Sequence, residues 1–159
     1  MNTATETEAQ VSTMLRELIA CHEQMLEAVR EHRRALAKAD REAIDASLRR
    51  QAELVERIRV LDEQRRRNLG HNVTVQEVAA RLGEKARRRL LDLGAHLRGL
   101  IEQVRDEQAV VAVASRSLLA HMEGLLSQVV SRLNHAGTYG RLGRVEAGVQ
   151  IVTGIDLTR

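Results

Sequence analysis

VSTMLRELIACHEQMLEAVREHRRAL, residues 11–36, sets Val11, Leu15, Leu18, His22, Met25, Val29, His32 and Leu36 at alternating steps of four and three. That spacing is a heptad seam, the signature of a helix packed along its length against another. Met14, Ile19, Cys21 and Leu26 widen the stripe beyond what one partner covers. The helix, expected over about residues 7–38, should therefore meet more than one neighbour.

The same logic runs outward along the chain. Asp40 reads as an N-cap, its carboxylate placed to accept from the free N–H groups of a new first turn. The KAD stretch before it is then a break, and a second helix follows over about 41–69. Without a turn there, residues 7–69 would form a single rod, and the cap alone leaves both readings open. Ile44, Leu48, Gln51, Val55, Ile58 and Asp62 continue the four-three spacing, with Leu54 and Leu61 beside them. Gly70 can close this helix in a left-handed conformation. Thr74-Val75-Gln76-Glu77 matches a capping box and opens a short helix over about 75–82.

From residue 84 to 133 the helical pattern is unbroken, about 75 Å at 1.5 Å per residue. Its seam is Leu90, Leu93, Leu97, Leu100, Val104, Glu107, Val111, Ala114 and Leu118. Beyond Leu118 the apolar stripe doubles, through Leu119, Met122, Leu125, Leu126, Val129, Val130 and Leu133. A two-stranded hairpin needs one seam, so the second must meet another helix of this chain or of a partner. Periodicity stops at Asn134, and Gly137, Gly140, Gly143, Gly148 and Gly154 crowd the remainder. The expected architecture is all-α: an elongated antiparallel helical hairpin or three-helix coiled-coil bundle over 1–133, with a flexible Gly-containing C-terminal tail over 134–159.

Composition agrees with helices joined by aliphatic seams. The 159 residues include no Pro, Phe or Trp, and Tyr139 is the only aromatic side chain. The net charge of +3 first suggests an anionic partner, but most arginines alternate with Glu and Asp at helical distances. Only Arg65-Arg66-Arg67 and Lys85 with Arg87-Arg88-Arg89 concentrate one sign; these clusters leave a basic nucleic-acid-associated helical protein as an alternative, made less favoured by the alternating charge elsewhere and, for single strands, by the absence of stacking rings. The single Cys21 permits no internal disulfide and suits a reducing cytosol. MNTATETEAQ has neither basic region nor apolar core, so no signal peptide is expected. No unbroken apolar run approaches the roughly 18 residues that span a bilayer, so no membrane insertion is expected and the location expected is cytoplasmic.

Catalytic and metal motifs are not evident. No two of the six histidines lie three or four apart, and none follows Glu by three, as helical metal ligands require. His22-Glu23-Gln24-Met25-Leu26 begins like a zinc-protease motif but has Leu26 where the second histidine is needed. Neither a phosphate loop nor a G-x-S-x-G elbow occurs. Adjacent helical residues diverge, so Cys21 and His22 are not a nucleophile and base by adjacency. An enzyme is not expected, and no cofactor is implied.

The order of these segments resembles the FlgN family of flagellar type III export chaperones. ALAKADREAIDASLRRQAELVERIRVLDEQRRR (35–67) is similar to the family's run of small residues, acidic cap and charged helix. TVQEVAARL (74–82) is similar to its short middle helix. IEQVRDEQAVVAVASRSLLAHMEGLLSQVVSRL (101–133), TYGRLG (138–143) and GIDLTR (154–159) resemble its long last helix, TYG-x-x-G turn and terminal segment. The family often has two asparagines where Arg105 and Gln108 stand here, so no role of those amides carries over.

The resemblance implies a non-catalytic role in which the chain binds the amphipathic helical termini of hook-associated flagellar proteins, prevents their premature assembly, and delivers them to the cytoplasmic part of the export gate. The doubled seam supplies a candidate client groove at Leu118, Met122, Leu125, Leu126, Val129 and Leu133, because a helix in an apolar groove is held at i, i+3, i+4 and i+7. The same face packing on the first helix, or forming a homodimer, are the competing readings. Tyr139 either covers the bundle end or anchors a mobile tail on a partner, and the resemblance implies docking at the export gate.

Overall fold

The computed structural model describes the backbone of residues 3–71 and 73–136 and the side chains of 6–71 and 73–133. The fold is all-α, with α1 over Thr3–Ala37, α2 over Arg41–Leu69, α3 over Val75–Ala80 and α4 over Glu84–Ala136. Two compact units divide the chain, residues 1–114 and 115–159. The segment expected as a tail lies outside the described residues beyond Ala136, and Tyr139 lies with it.

Separate helices, not one rod, occupy residues 3–69, and local hydrogen bonds show why. Ala39 N–H donates to the Leu36 carbonyl and Asp40 N–H to the Ala35 carbonyl, each at 3.0 Å. This pair of bonds is a Schellman closure, which requires a left-handed residue just past the helix. Ala39 takes that place at φ 51 although it is not glycine. Asp40 then accepts from Ala43 N–H at 3.0 Å, ending one helix and capping the next within a single turn.

α1 is the central helix of the first unit. All eight residues of its expected seam are buried except the half-buried His22, and Ile19, Cys21 and Leu26 beside them are buried too. Val29 and Ala28 are fully enclosed. α2 lies antiparallel on one side of α1, with Glu31 paired to Arg50 at 3.1 Å. α4 runs parallel to α1, since Arg89 meets Glu8 near its start and Glu107 meets Arg30 and Arg33 further along. The expected α4 seam holds over its length in this unit, with Leu90, Leu100, Val104 and Val111 buried and the intervening positions half-buried.

The α2 seam differs from expectation at Leu48 and Val55. Ser47, Leu54 and Leu61 are buried, whereas Leu48 is 46% and Val55 56% exposed. Ile44, Gln51 and Ile58 belong equally to a three-first or a four-first pattern. The side chain three residues after each of them, not the one four after, turns towards α1. Ser47 succeeds there because its hydroxyl donates to the Ile44 carbonyl at 2.8 Å, satisfying a buried polar group on its own helix.

α3 closes the end of the bundle where α1 starts and α2 finishes. Thr74 Oγ1 accepts from Glu77 N–H at 3.2 Å, and Glu77 accepts from Thr74 N–H at 2.8 Å, the reciprocal capping box. That backbone hydrogen bond from Thr74 is the main reason the Glu77 carboxyl sits below its ordinary pKa. The cap aims Val78 and Ala79 into a cluster with Val11, Leu15 and Leu90. Above it Leu18, Cys21 and Leu61 form the next layer.

Candidate functional site

The titratable groups inside the first unit are committed to structure. His22 Nδ1 lies 2.7 Å from the Leu18 carbonyl, one turn back. His32, on the buried seam, has its Nδ1 3.3 Å from Gln51 Nε2 of α2, and burial lowers its pKa. No group of three or more His, Cys, Asp or Glu side chains converges among the described residues. The Cys21 thiol is enclosed.

The basic clusters are largely neutralised where they stand. Arg65 and Arg66 both pair with Asp62, at 2.9 and 2.8 Å, and Arg67 pairs with Glu63. The hydrogen bond from Arg65 holds the Asp62 carboxyl below its ordinary range, and that from Arg67 does the same for Glu63. Arg88 pairs with Glu84 and Arg89 with Glu8. A phosphate at these arginines would have to displace the carboxylates that pair with them.

The second unit presents the opposite surface. Met122, Leu125, Leu126, Val129 and Leu133 of α4 are 49–57% exposed, and Leu118 is half-buried. On a helix these six residues share one face, at steps of three and four. Large aliphatic side chains this exposed in an unbroken row mark a surface that is covered in use. Leu119, 60% exposed, belongs to the same face and is not among the residues expected to line the groove. Its pairing with Leu126, seven residues on, is the signal that places it there.

This stretch also contains the most apolar part of α4. Within Glu84–Leu133 an 18-residue window reaches a mean hydropathy of 1.3, enough by length and composition alone to cross a membrane. Isolated charges such as Arg116 hide the window from a count of unbroken apolar runs. The core helix of a soluble protein passes the same test, so the window by itself does not mark a membrane span.

The arrangement offers apolar contact area on a rigid helix and no converging catalytic groups among the described residues. Against known proteins, the model of the family described as FlgN protein matches residues 1–147. No curated protein and no solved structure matches the chain.

Proposed function

As the chain belongs to the FlgN family of flagellar export chaperones, which bind hook-associated proteins, we propose that the exposed face of α4 is its client-binding site. Leu118, Met122, Leu125, Leu126, Val129 and Leu133 would hold an amphipathic terminal helix of a hook-associated protein in the cytoplasm. Holding that helix would prevent premature assembly by covering its apolar face. The observation that carries this reading is the exposure of the whole row, where the seam of α1 is buried along its length apart from the half-buried His22. Burying a few such side chains at about 1.5–3 kcal/mol each supports micromolar or tighter binding after association losses.

Delivery to the export gate is assigned to Tyr139. A ring with a hydroxyl gives large contact area for little lost entropy. The family resemblance at TYGRLG supports the assignment.

The test is titration of the full chain with a C-terminal helical fragment of a hook-associated protein from the same organism. Low-micromolar binding that Leu125→Asp and Val129→Asp abolish, without loss of helicity, is the expected result. Binding unchanged in both variants would overturn the site. Light scattering on the same samples separates self-association: a dimer of the native chain that these substitutions dissociate would assign the face to a second copy instead.

A further inference from the structure

Between residues 109 and 133 the only Asp, Glu, Lys or Arg side chains are Arg116, Glu123 and Arg132, in a chain of which 30% is charged. All three are exposed, and none makes an ion pair among the described residues. Arginines 65–67 of α2, by contrast, are each paired. Steps of seven sort the three charges onto the two borders of the apolar face. Arg116 and Glu123 precede Val130 along one border. Arg132 follows Leu118 and Leu125 along the other.

Resting on the reading of this face as a helix-binding site, we propose that Arg116, Glu123 and Arg132 set the direction and register of the bound helix. The occupant is a single amphipathic helix of another protein, with a carboxylate opposite Arg116, a cation opposite Glu123 and a carboxylate opposite Arg132. Aliphatic side chains alone specify this poorly. A row of leucines and valines accepts a helix in either direction and after a slip of one heptad at similar contact area. Charges bordering an apolar seam remove that ambiguity, since the wrong arrangement brings like charges together. The order of cation then anion along one border is not the same read backwards. Reversal turns the client's two borders about, carrying its acid–base pair to the Arg132 side and leaving a single carboxylate for Arg116 and Glu123 together, and a heptad slip places a carboxylate on Glu123.

The charge balance argues for a different chain over a second copy. Each copy brings one glutamate for two arginines, so a symmetric pair leaves arginines without a carboxylate. A helix with two acidic border positions and one basic position matches all three.

The experiment is fluorescence anisotropy of a labelled C-terminal helical fragment of a hook-associated protein, titrated with the full chain at about 50 and about 500 mM salt. The double variant Arg116→Glu/Glu123→Arg keeps the net charge and reverses only the order. It is expected to weaken binding about tenfold at the lower salt and by much less at the higher, with helicity and Tm unchanged. A fragment with its facing charges exchanged should recover the affinity. Leu125→Asp should weaken binding at both salts. If the double variant binds as the native chain does while Leu125→Asp fails, the charge assignment is wrong and the apolar site stands. An equal loss at both salts that the exchanged fragment does not rescue also overturns it. If neither variant changes binding, or the native chain does not bind, the client-site reading itself fails.

Discussion

Gln51 of α2 sets its side-chain amide 3.3 Å from Nδ1 of His32 on α1, a polar pair inside the seam that joins the two helices. His32 is 7% exposed, and burial lowers its pKa from the ordinary 6.5. The unfolded chain therefore binds a proton more readily than the folded one. Stability is fully present above about pH 6.5 and falls as the pH drops from there through the folded value. Urea unfolding between pH 7.5 and 5 should show this decline, and His32→Leu should flatten it. A slope unchanged by the substitution would place the titration elsewhere.

Two backbone positions should respond in opposite senses to exchange of Gly and Ala. Ala39 holds φ 51 in the turn between α1 and α2, a conformation strained for any side chain. Ala39→Gly relieves it and should stabilise by about 0.5–1 kcal/mol, after the greater unfolded-state freedom of glycine is set against it. Gly70 has φ 93 and ψ 162, a region open in practice only to glycine. Gly70→Ala should destabilise by about 1–3 kcal/mol. Thermal melts of both variants check the pair.

Leu90 and Leu125 are the same residue type on one helix, and burial separates them. Leu90 is fully enclosed with Val11, Leu15 and Val78. Leu90→Ala should lose about 2–5 kcal/mol of stability. Leu125 is 49% exposed, so Leu125→Ala should stay within about 0.5 kcal/mol while weakening the client fragment. Chemical denaturation with parallel titration distinguishes them, and a strongly destabilised Leu125→Ala would mean that the face is covered in the free chain.

Tyr139→Ala should leave helicity, Tm and client affinity nearly unchanged and reduce binding to the cytoplasmic part of the export gate. Surface plasmon resonance on the immobilised gate domain, beside a calorimetric melt, reads both properties. A large fall in Tm would assign the ring to the bundle.

The helices and their ends are legible in the amino-acid order because they rest on local rules. Asp40 and Thr74 act within three residues of themselves, and the seam of α1 is wide enough that any helical phase buries most of it. α2 shows where such rules stop. Its apolar residues fit two stripes sharing Ile44, Gln51 and Ile58, and only contact with α1 selects Ser47, Leu54 and Leu61 over Leu48 and Val55. Likewise, the doubled row from Leu118 to Leu133 reads from sequence only as a surplus. Periodicity measures how much of a helix is apolar, and the positions of neighbouring helices decide which part of that surface is covered. Amino-acid order determined the helices, their caps and the excess of apolar face; tertiary structure decided which face is left open, because burial depends on what lies across from a side chain and not on what lies beside it in the chain.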